Sequence, residues 1–133
     1  MADISKRIKF PPRQRGDITV KTAAFTLKDE YSGQTFVWNS ATAFNFNLPP
    51  VAKSSKGVFF NFIIRTAATS GTGHGISPST LDKIYGATAS AVDNKDVYFA
   101  TAGDAISNGF VAISDGDTGW QLVNVSGTLS QEA

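Results

Sequence analysis

The side chains in this sequence that could take part in metal or acid–base chemistry include a pair of aspartates in the stretch SDGDTGWQ. Asp115 and Asp117 could supply oxygen ligands to Ca²⁺, with Asp104 as a third ligand if its segment folds back. A calcium-binding loop needs more ligands than these, including a bidentate carboxylate further along the chain. The same residue types favour a tight turn, because aspartate accepts hydrogen bonds from nearby backbone and glycine tolerates positive φ. We therefore interpret SDGDTG as a hairpin loop that joins a strand ending at Ile113 to one beginning at Trp120.

The other candidate is His74, the only histidine and so the only imidazole that could act as a base for a serine nucleophile. It lies in the glycine-rich stretch ATSGTGHG, residues 68–75, whose composition predicts a flexible, protruding loop and a solvent-exposed ring. GTGHG superficially resembles a phosphate-binding loop, but such a loop leads into a helix and no helical pattern begins here. Cysteine is absent, which excludes thiol nucleophiles and Cys-ligated metals. We expect no catalytic residue, no cofactor and no metal centre, and hence a protein that is not an enzyme.

Length and hydropathy predict one soluble domain. A chain of 133 residues with 41% hydrophobic side chains and ten phenylalanines can build one core without a metal or a disulfide. No apolar run approaches the roughly 18 residues of a membrane span, and the first residues lack the apolar stretch of a signal peptide. We expect a protein that is made in a cytoplasm and has no membrane partner.

The first sixteen residues, MADISKRIKFPPRQRG, differ from the rest in charge. They hold five of the twelve basic residues and one of the eleven acidic ones, so this end is positive and the remainder slightly negative. Neither helical nor strand periodicity is present there. A disordered tail is one interpretation, but the apolar residues Ile4, Ile8 and Phe10 favour an extended arm that docks on a partner. The residues predicted to contact that partner are Lys6, Arg7, Ile8, Lys9, Phe10, Arg13 and Arg15.

The charge of the arm leaves two classes of partner open. Clustered Lys and Arg bind phosphates by releasing counterions, which would suit a nucleic acid. The arm holds a single aromatic residue, however, and the body is slightly acidic, so no basic face with stacking platforms is present. An acidic protein surface would satisfy the same charges, and we favour it over nucleic acid.

From Asp17 onward the sequence is typical of β-structure, with short runs of Val, Ile, Thr and aromatic residues separated by turn residues. The clearest alternation is AFNFNLPP, where Phe44, Phe46 and Leu48 share one face. The most apolar run is GVFFNFIIRT, residues 57–66, and we expect it to be covered on both faces because both of its faces are apolar. The predicted strands are 18–20, 24–27, 34–38, 44–48, 57–66, 97–99, 109–113 and 120–125.

The sequence predicts little helix. Residues 78–84 could form a single helical turn capped by Ser77, which Gly86 would close. Eight or so short strands separated by turns predict an all-β fold, either a β-sandwich or a barrel-like domain of the jelly-roll type. We therefore divide the chain into an extended basic arm, 1–16, and a single β-rich domain, 17–133.

Several stretches in order resemble a pattern found in virion proteins of tailed bacteriophages. KDEYSGQTFVWNSATAFNFNLPP is similar to their "S-G-x-T-F" strand followed by an "F-x-F-x-L-P" strand, and GVFFNF is similar to the glycine and aromatic-rich strand that comes next. ISPSTLDKIYG resembles a connection that ends in a "D-x-I-x-G" turn, and ISDGDTGWQLVNVSGT resembles the closing hairpin. The resemblance spans Lys28 to Thr128.

Such domains occur in capsid decoration (cement) proteins and in fibre or spike proteins, many of them trimeric. The resemblance implies a homotrimer that binds the major capsid protein on the outer surface of an icosahedral head, at subunit junctions, and stabilises the shell. It implies a location on the virion after synthesis in the host cytoplasm, and no small-molecule substrate. The arm would lie along the shell and add weak contacts from many copies.

Two alternatives stay open at this point. One keeps the protein in the virion but places it in the tail, as a small fibre, spike or baseplate component. The other is a carbohydrate-binding β module, for which Trp38, Trp120 and Tyr85 are the candidate aromatic platforms. Both tryptophans adjoin apolar strand residues, so we favour core packing for them.

Overall fold

The computed structural model describes residues 17–69, 71–87, 91–100 and 103–133, and they form an all-β sandwich. The only helical segments in these ranges are short 3-10 turns, and none has the length and apolarity to cross a bilayer. The 3-10 turns are Asp29–Tyr31 and Lys53–Ser55. The strands are β1 Ile18–Lys21, β2 Phe25–Thr26, β3 Thr35–Asn39, β4 Asn45–Asn47, β5 Phe59–Thr66, β6 Gly75–Ser77, β7 Lys83–Tyr85, β8 Val97–Phe99, β9 Gly109–Ser114, β10 Gly119–Ser126 and β11 Leu129–Gln131.

The strands are divided between two mixed sheets. The six-stranded sheet has the order β1-β3-β5-β9-β10-β7, and the five-stranded sheet has the order β11-β8-β6-β4-β2. From β1 to β9 the chain crosses from one sheet to the other after every strand. Strands two apart in sequence pair in parallel up to β6, as β1, β3 and β5 do in one sheet and β2, β4 and β6 in the other. β8 then pairs antiparallel with β6, and β9 antiparallel with β5. The hairpin of β9 and β10 is antiparallel.

The core between the sheets is built mainly from aromatic rings. Trp38 is fully buried and contacts rings from both sheets, including those of Phe46 and Phe62 at 5.5 Å between centroids. Trp120 is also fully buried and packs on Phe60 at 5.6 Å. Aromatic pairs in such tilted and edge arrangements add to the free energy that burial alone provides.

All eight strands predicted from the sequence are present, with ends that differ by a few residues, and β6, β7 and β11 were not predicted. The helical turn proposed for residues 78–84 was wrong, because Lys83–Tyr85 is the strand β7 instead. β7 pairs in parallel with β10, and its central residue, Ile84, is buried in the core. The alternation of β7 is confined to its three residues, whereas that of β4 continues into Phe44 and Leu48 on either side.

The flexible, protruding loop expected for residues 68–75 was wrong for residues 73–75, whereas Thr69, Gly71 and Thr72 are exposed and lie outside the strands. Gly73 and Gly75 are both buried, and Gly75 begins strand β6. A Cβ on Gly73 would come within 2.6 Å of the Phe99 carbonyl oxygen, and one on Gly75 within 2.8 Å of the Tyr98 Cβ. These glycines are therefore explained by the close approach of neighbouring backbone rather than by flexibility.

The expectation that β5 is covered on both faces was wrong for the single chain. Phe60, Phe62 and Ile64 face the five-stranded sheet and are buried. Phe59 and Ile63 point to the other side of the six-stranded sheet, where no further layer formed by the described residues covers them, and more than a third of each side chain is exposed.

Candidate functional site

The residues predicted to bind a partner all lie outside the described part of the chain. They are Lys6, Arg7, Ile8, Lys9, Phe10, Arg13 and Arg15. The described chain begins at Asp17, whose carbonyl oxygen accepts a hydrogen bond from Thr35 N–H at 2.8 Å. Asp17 immediately precedes β1, an edge strand of the six-stranded sheet. The arm is therefore joined to the body at the edge of this sheet.

The aspartate loop between β9 and β10 is a turn held by Asp115. Asp115 Oδ1 accepts hydrogen bonds from the backbone N–H groups of Asp117, Thr118 and Gly119 at 2.8, 2.9 and 3.1 Å. Its other oxygen, Oδ2, accepts from the Thr118 hydroxyl and from the Gln121 amide. The predicted hairpin is confirmed, with four connecting residues, 115–118, rather than six. Asp115 is thus used for turn formation.

These hydrogen bonds also change the pKa of the Asp115 carboxyl. Partial burial acts to raise the pKa of its carboxyl, but the three backbone N–H donors and the Gln121 amide outweigh burial, and the pKa lies below its ordinary value. A lowered pKa means that the ionised carboxylate stabilises the folded state above the unfolded-state pKa near 4. This contribution is lost as pH falls through the folded-state pKa.

We expect Asp115→Asn to lower the free energy of unfolding by about 1 kcal/mol at pH 7, because charge-assisted hydrogen bonds become neutral ones. The gap between wild type and variant should close as pH falls below about 4. Urea unfolding at several pH values measures it. The exposed neighbour Asp117 provides the control, since Asp117→Asn should stay within about 0.5 kcal/mol of wild type. A gap that is the same at pH 7 and pH 2 would contradict this role for the charge.

Asp104, the third ligand considered for the aspartate loop, is engaged elsewhere, and a further carboxylate, Asp82, is also buried. Asp104 is buried beside His74, where its Oδ2 accepts a hydrogen bond from the His74 backbone N–H at 2.8 Å. Asp82 is buried near β7 and accepts from Val51 N–H at 2.9 Å; burial raises the pKa of its carboxyl, and repulsion from Asp115 adds to this. No group of three or more His, Cys, Asp or Glu side chains suited to a metal ion is found among the described residues.

His74 is fully buried, so the expectation of a solvent-exposed loop residue was wrong. The Phe44 backbone N–H donates to its Nδ1 at 3.2 Å, which places the ring proton on Nε2. Nε2 in turn lies 2.9 Å from each of the carbonyl oxygens of Ser40 and Thr66. The ring stacks on Trp38 with 5.8 Å between centroids and an angle of 14°. His74 therefore joins three backbone segments inside the core, and both ring nitrogens are engaged by backbone.

The tryptophans are core residues, as the sequence favoured. Trp38 and Trp120 have no exposed surface, so neither can serve as an open platform for a sugar ring. Tyr85 is partly exposed at the edge strand β7, and its hydroxyl lies 2.9 Å from that of Thr118. The aromatic residues proposed for a carbohydrate site are thus not gathered on one surface.

Sequence comparison adds no assignment to this geometry. No protein-family model matches the chain, and no curated protein matches it.

The structure shows one surface feature that the sequence reasoning missed, an apolar face on the outer side of the six-stranded sheet. We define this outer apolar face by its eight members, of which Ile18 is the most exposed at 67%. The signal for it was the two-sided apolar character of 57–66, which was taken to mean burial within one chain. Its members are Ile18, Val20, Val37, Phe59, Ile63, Val111, Ile113 and Val123.

Proposed function

We propose that this chain is a structural protein of a tailed-bacteriophage virion. It binds the outer surface of an icosahedral capsid at subunit junctions and stabilises the head. In this proposal the β-sandwich is the body of a homotrimer, the basic N-terminal arm docks on the major capsid protein, and the protein performs no catalysis.

The observation that carries the proposal is the ordered set of motifs between Lys28 and Thr128, together with the places that these motifs take in the fold. Their glycines occupy turns with positive φ, a backbone region that glycine adopts most readily. At Gly116, for example, φ is 75° and the Asp115 loop depends on it. The motif glycines with positive φ are Gly33, Gly57, Gly86, Gly116 and Gly127. The motif pattern therefore corresponds to turn positions of this sandwich.

The polar chemistry of the described body also supports a structural role. The side chains that could have taken part in catalysis or metal binding make hydrogen bonds within the fold, as His74 and Asp115 do. These bonds hold loops and strand ends in place. In this proposal the body acts through its surface, and the partner that this surface binds is a protein.

The charge distribution supports the separate roles proposed for the arm, which docks on the capsid protein, and for the body, which forms the trimer. Five basic residues precede Asp17, and they are joined to the body at the edge of a sheet. A short basic segment of this kind suits an acidic groove between shell subunits, and a trimer would present three arms at once. Linked weak contacts of this kind raise the total affinity well above that of one arm.

The proposal is tested by adding the purified protein to phage heads that lack it and imaging the particles by electron microscopy. We expect density for the protein on the outside of the head at subunit junctions, and heads that survive heating better than undecorated ones. Density on the tail would instead assign the protein to a fibre, spike or baseplate. Absence from both, with binding on a glycan array, would replace the proposal with a carbohydrate-binding role.

A further inference from the structure

The outer apolar face is continuous across five strands of the six-stranded sheet. Strand register places Val20, Val37 and Ile63 side by side on β1, β3 and β5. The next row has Ile18 on β1 at one end and Val111 and Val123 on β9 and β10 at the other, with the neutral polar residues Thr35 and Asn61 between them. Residues opposite each other on neighbouring strands lie about 5 Å apart, so the apolar side chains of the two rows are close neighbours on one surface.

Charged groups are nearly absent from this face. Strand residues on the outer side alternate with core residues, and between β1 and β10 the only charged one among them is Arg65, near the end of β5. The polar members are uncharged, for example Thr35 and Asn61. Depletion of charge with retention of a few neutral polar groups is typical of the centre of a protein–protein interface.

The outer apolar face is not flat. Ile63 lines two shallow grooves, and one of these is bounded by Ile18, Val20 and Ile106. The other is bounded by polar residues at the β10 bulge, Asn124 and Ser126 among them. The grooves have volumes of about 300 and 260 Å³. A ridge flanked by two grooves can interlock with a surface of the same shape.

We infer that the outer apolar face is the surface on which copies of this chain associate, and that its occupant is a second copy of the chain. This inference rests on the trimer in the proposed function and assigns its interface. Around a three-fold axis the sheets of neighbouring copies would pack about 10 Å apart, as sheets in a sandwich do, with each face shared between its two neighbours. The side of β5 that is bare in the single chain is then covered.

The area of the face is sufficient for this role. Five strands about 4.8 Å apart and rows spanning six residues of about 3.3 Å give roughly 500 Å² on each copy. Two such surfaces bury about 1,000 Å², which is the size at which a specific interface becomes stable. Exposed apolar patches of several hundred Å² on a soluble chain mark interaction sites.

The arm of the same chain is a poorer occupant. It carries five basic residues, and the charged group on the face, Arg65, has the same sign. Like charges brought together at an interface oppose binding. The same face of a second copy brings one basic residue, Arg65, in place of five, and its other side chains are uncharged.

Sedimentation of the full-length protein and of lysine variants tests the inference. We expect wild type to sediment as an oligomer, and Val20→Lys and Val123→Lys to raise the dissociation constant about 100-fold each, because each buries an unpaired charge in the interface. Val92→Lys is the matched control, since Val92 is 45% exposed, close to the 41% of Val20 and the 40% of Val123, but lies outside the face. It should sediment as wild type does.

Folding is checked by the fluorescence of the two buried tryptophans. Ile18→Lys gives a second test that disturbs the fold least, because that side chain is already 67% exposed. A wild-type monomer at micromolar concentration would overturn the inference, as would face variants that stay oligomeric. Loss of the oligomer in a full-length Ile8→Ser, Phe10→Ser variant, with Val20→Lys unaffected, would assign the interface to the arm instead.

These experiments can contradict the proposed interface and the proposed decoration role independently of each other. An oligomer that is broken by Val20→Lys and Val123→Lys supports the interface whether or not the protein binds heads. Head density formed by a monomeric wild type would support the decoration role and overturn the interface.

Discussion

Replacing His74 with alanine is expected to lower the free energy of unfolding by about 3–4 kcal/mol, because it leaves buried backbone groups without partners. These groups are Phe44 N–H and the carbonyl oxygens of Ser40 and Thr66. The change also removes the ring that stacks on Trp38 and opens a cavity in the core. For a domain of this size the loss corresponds to a fall in Tm of roughly 10 °C.

Two further variants separate the hydrogen bonds of His74 from its volume. His74→Gln keeps an N–H donor for the two carbonyl oxygens, so we expect a loss of about half that of alanine. Thr72→Ala, two residues earlier at an exposed position, should change stability by less than about 0.5 kcal/mol. Thermal and urea unfolding measure all three. A His74→Ala variant as stable as Thr72→Ala would show that the ring is not the structural element inferred here.

Deleting residues 1–16 is expected to abolish binding to phage heads while the body still folds and associates. The buried hydrophobic residues of the described part of the chain run from Leu27 to Leu122, so all of them are retained in the deletion variant. The arm contributes five basic residues, and exposed ion pairs are worth about 0.5–1 kcal/mol each. Their sum of about 2.5–5 kcal/mol corresponds to a loss of affinity for each arm of roughly 60-fold to several thousandfold, at about 1.4 kcal/mol per tenfold. Co-sedimentation with heads measures this loss.

A charge-reversed arm tests the electrostatic part of this prediction without truncation. Arg13→Glu with Arg15→Glu should weaken binding and make it less sensitive to salt, because fewer ion pairs remain to be screened. Lys53→Glu with Lys56→Glu, at exposed positions of the body, is the matched control and should bind as wild type does. An unchanged salt dependence in the arm variant would argue against electrostatic docking, and full binding by the deleted protein would remove the arm from the proposal.

The local elements of this fold could largely be predicted from the sequence. Strands such as β4 and β10 alternate apolar and polar residues, which is the direct signature of a half-buried strand. The Asp115 turn was predictable because its hydrogen bonds join residues within four positions of each other. For the binding site the sequence contributed only the charge of the arm, and that segment lies outside the described residues.

The misjudged residues depend on contacts between distant parts of the chain. His74 lies in a stretch whose composition is that of a flexible loop, yet its ring partners are 30 and 34 residues away at Phe44 and Ser40. β7 is three residues long and becomes a strand by pairing with β10, more than thirty residues later. Local composition contains no information about either partner.

By itself the sequence determined that the protein is all-β, where most of its strands and turns lie, and that its positive charge is concentrated at one end. These properties follow from side-chain alternation, turn residues and charge, all of which act over a few positions. Only the tertiary structure decided the alternation between two sheets, the burial of His74, and which side of β5 lies bare. A two-sided apolar strand requires two covering layers, and the described residues of this chain form one of them.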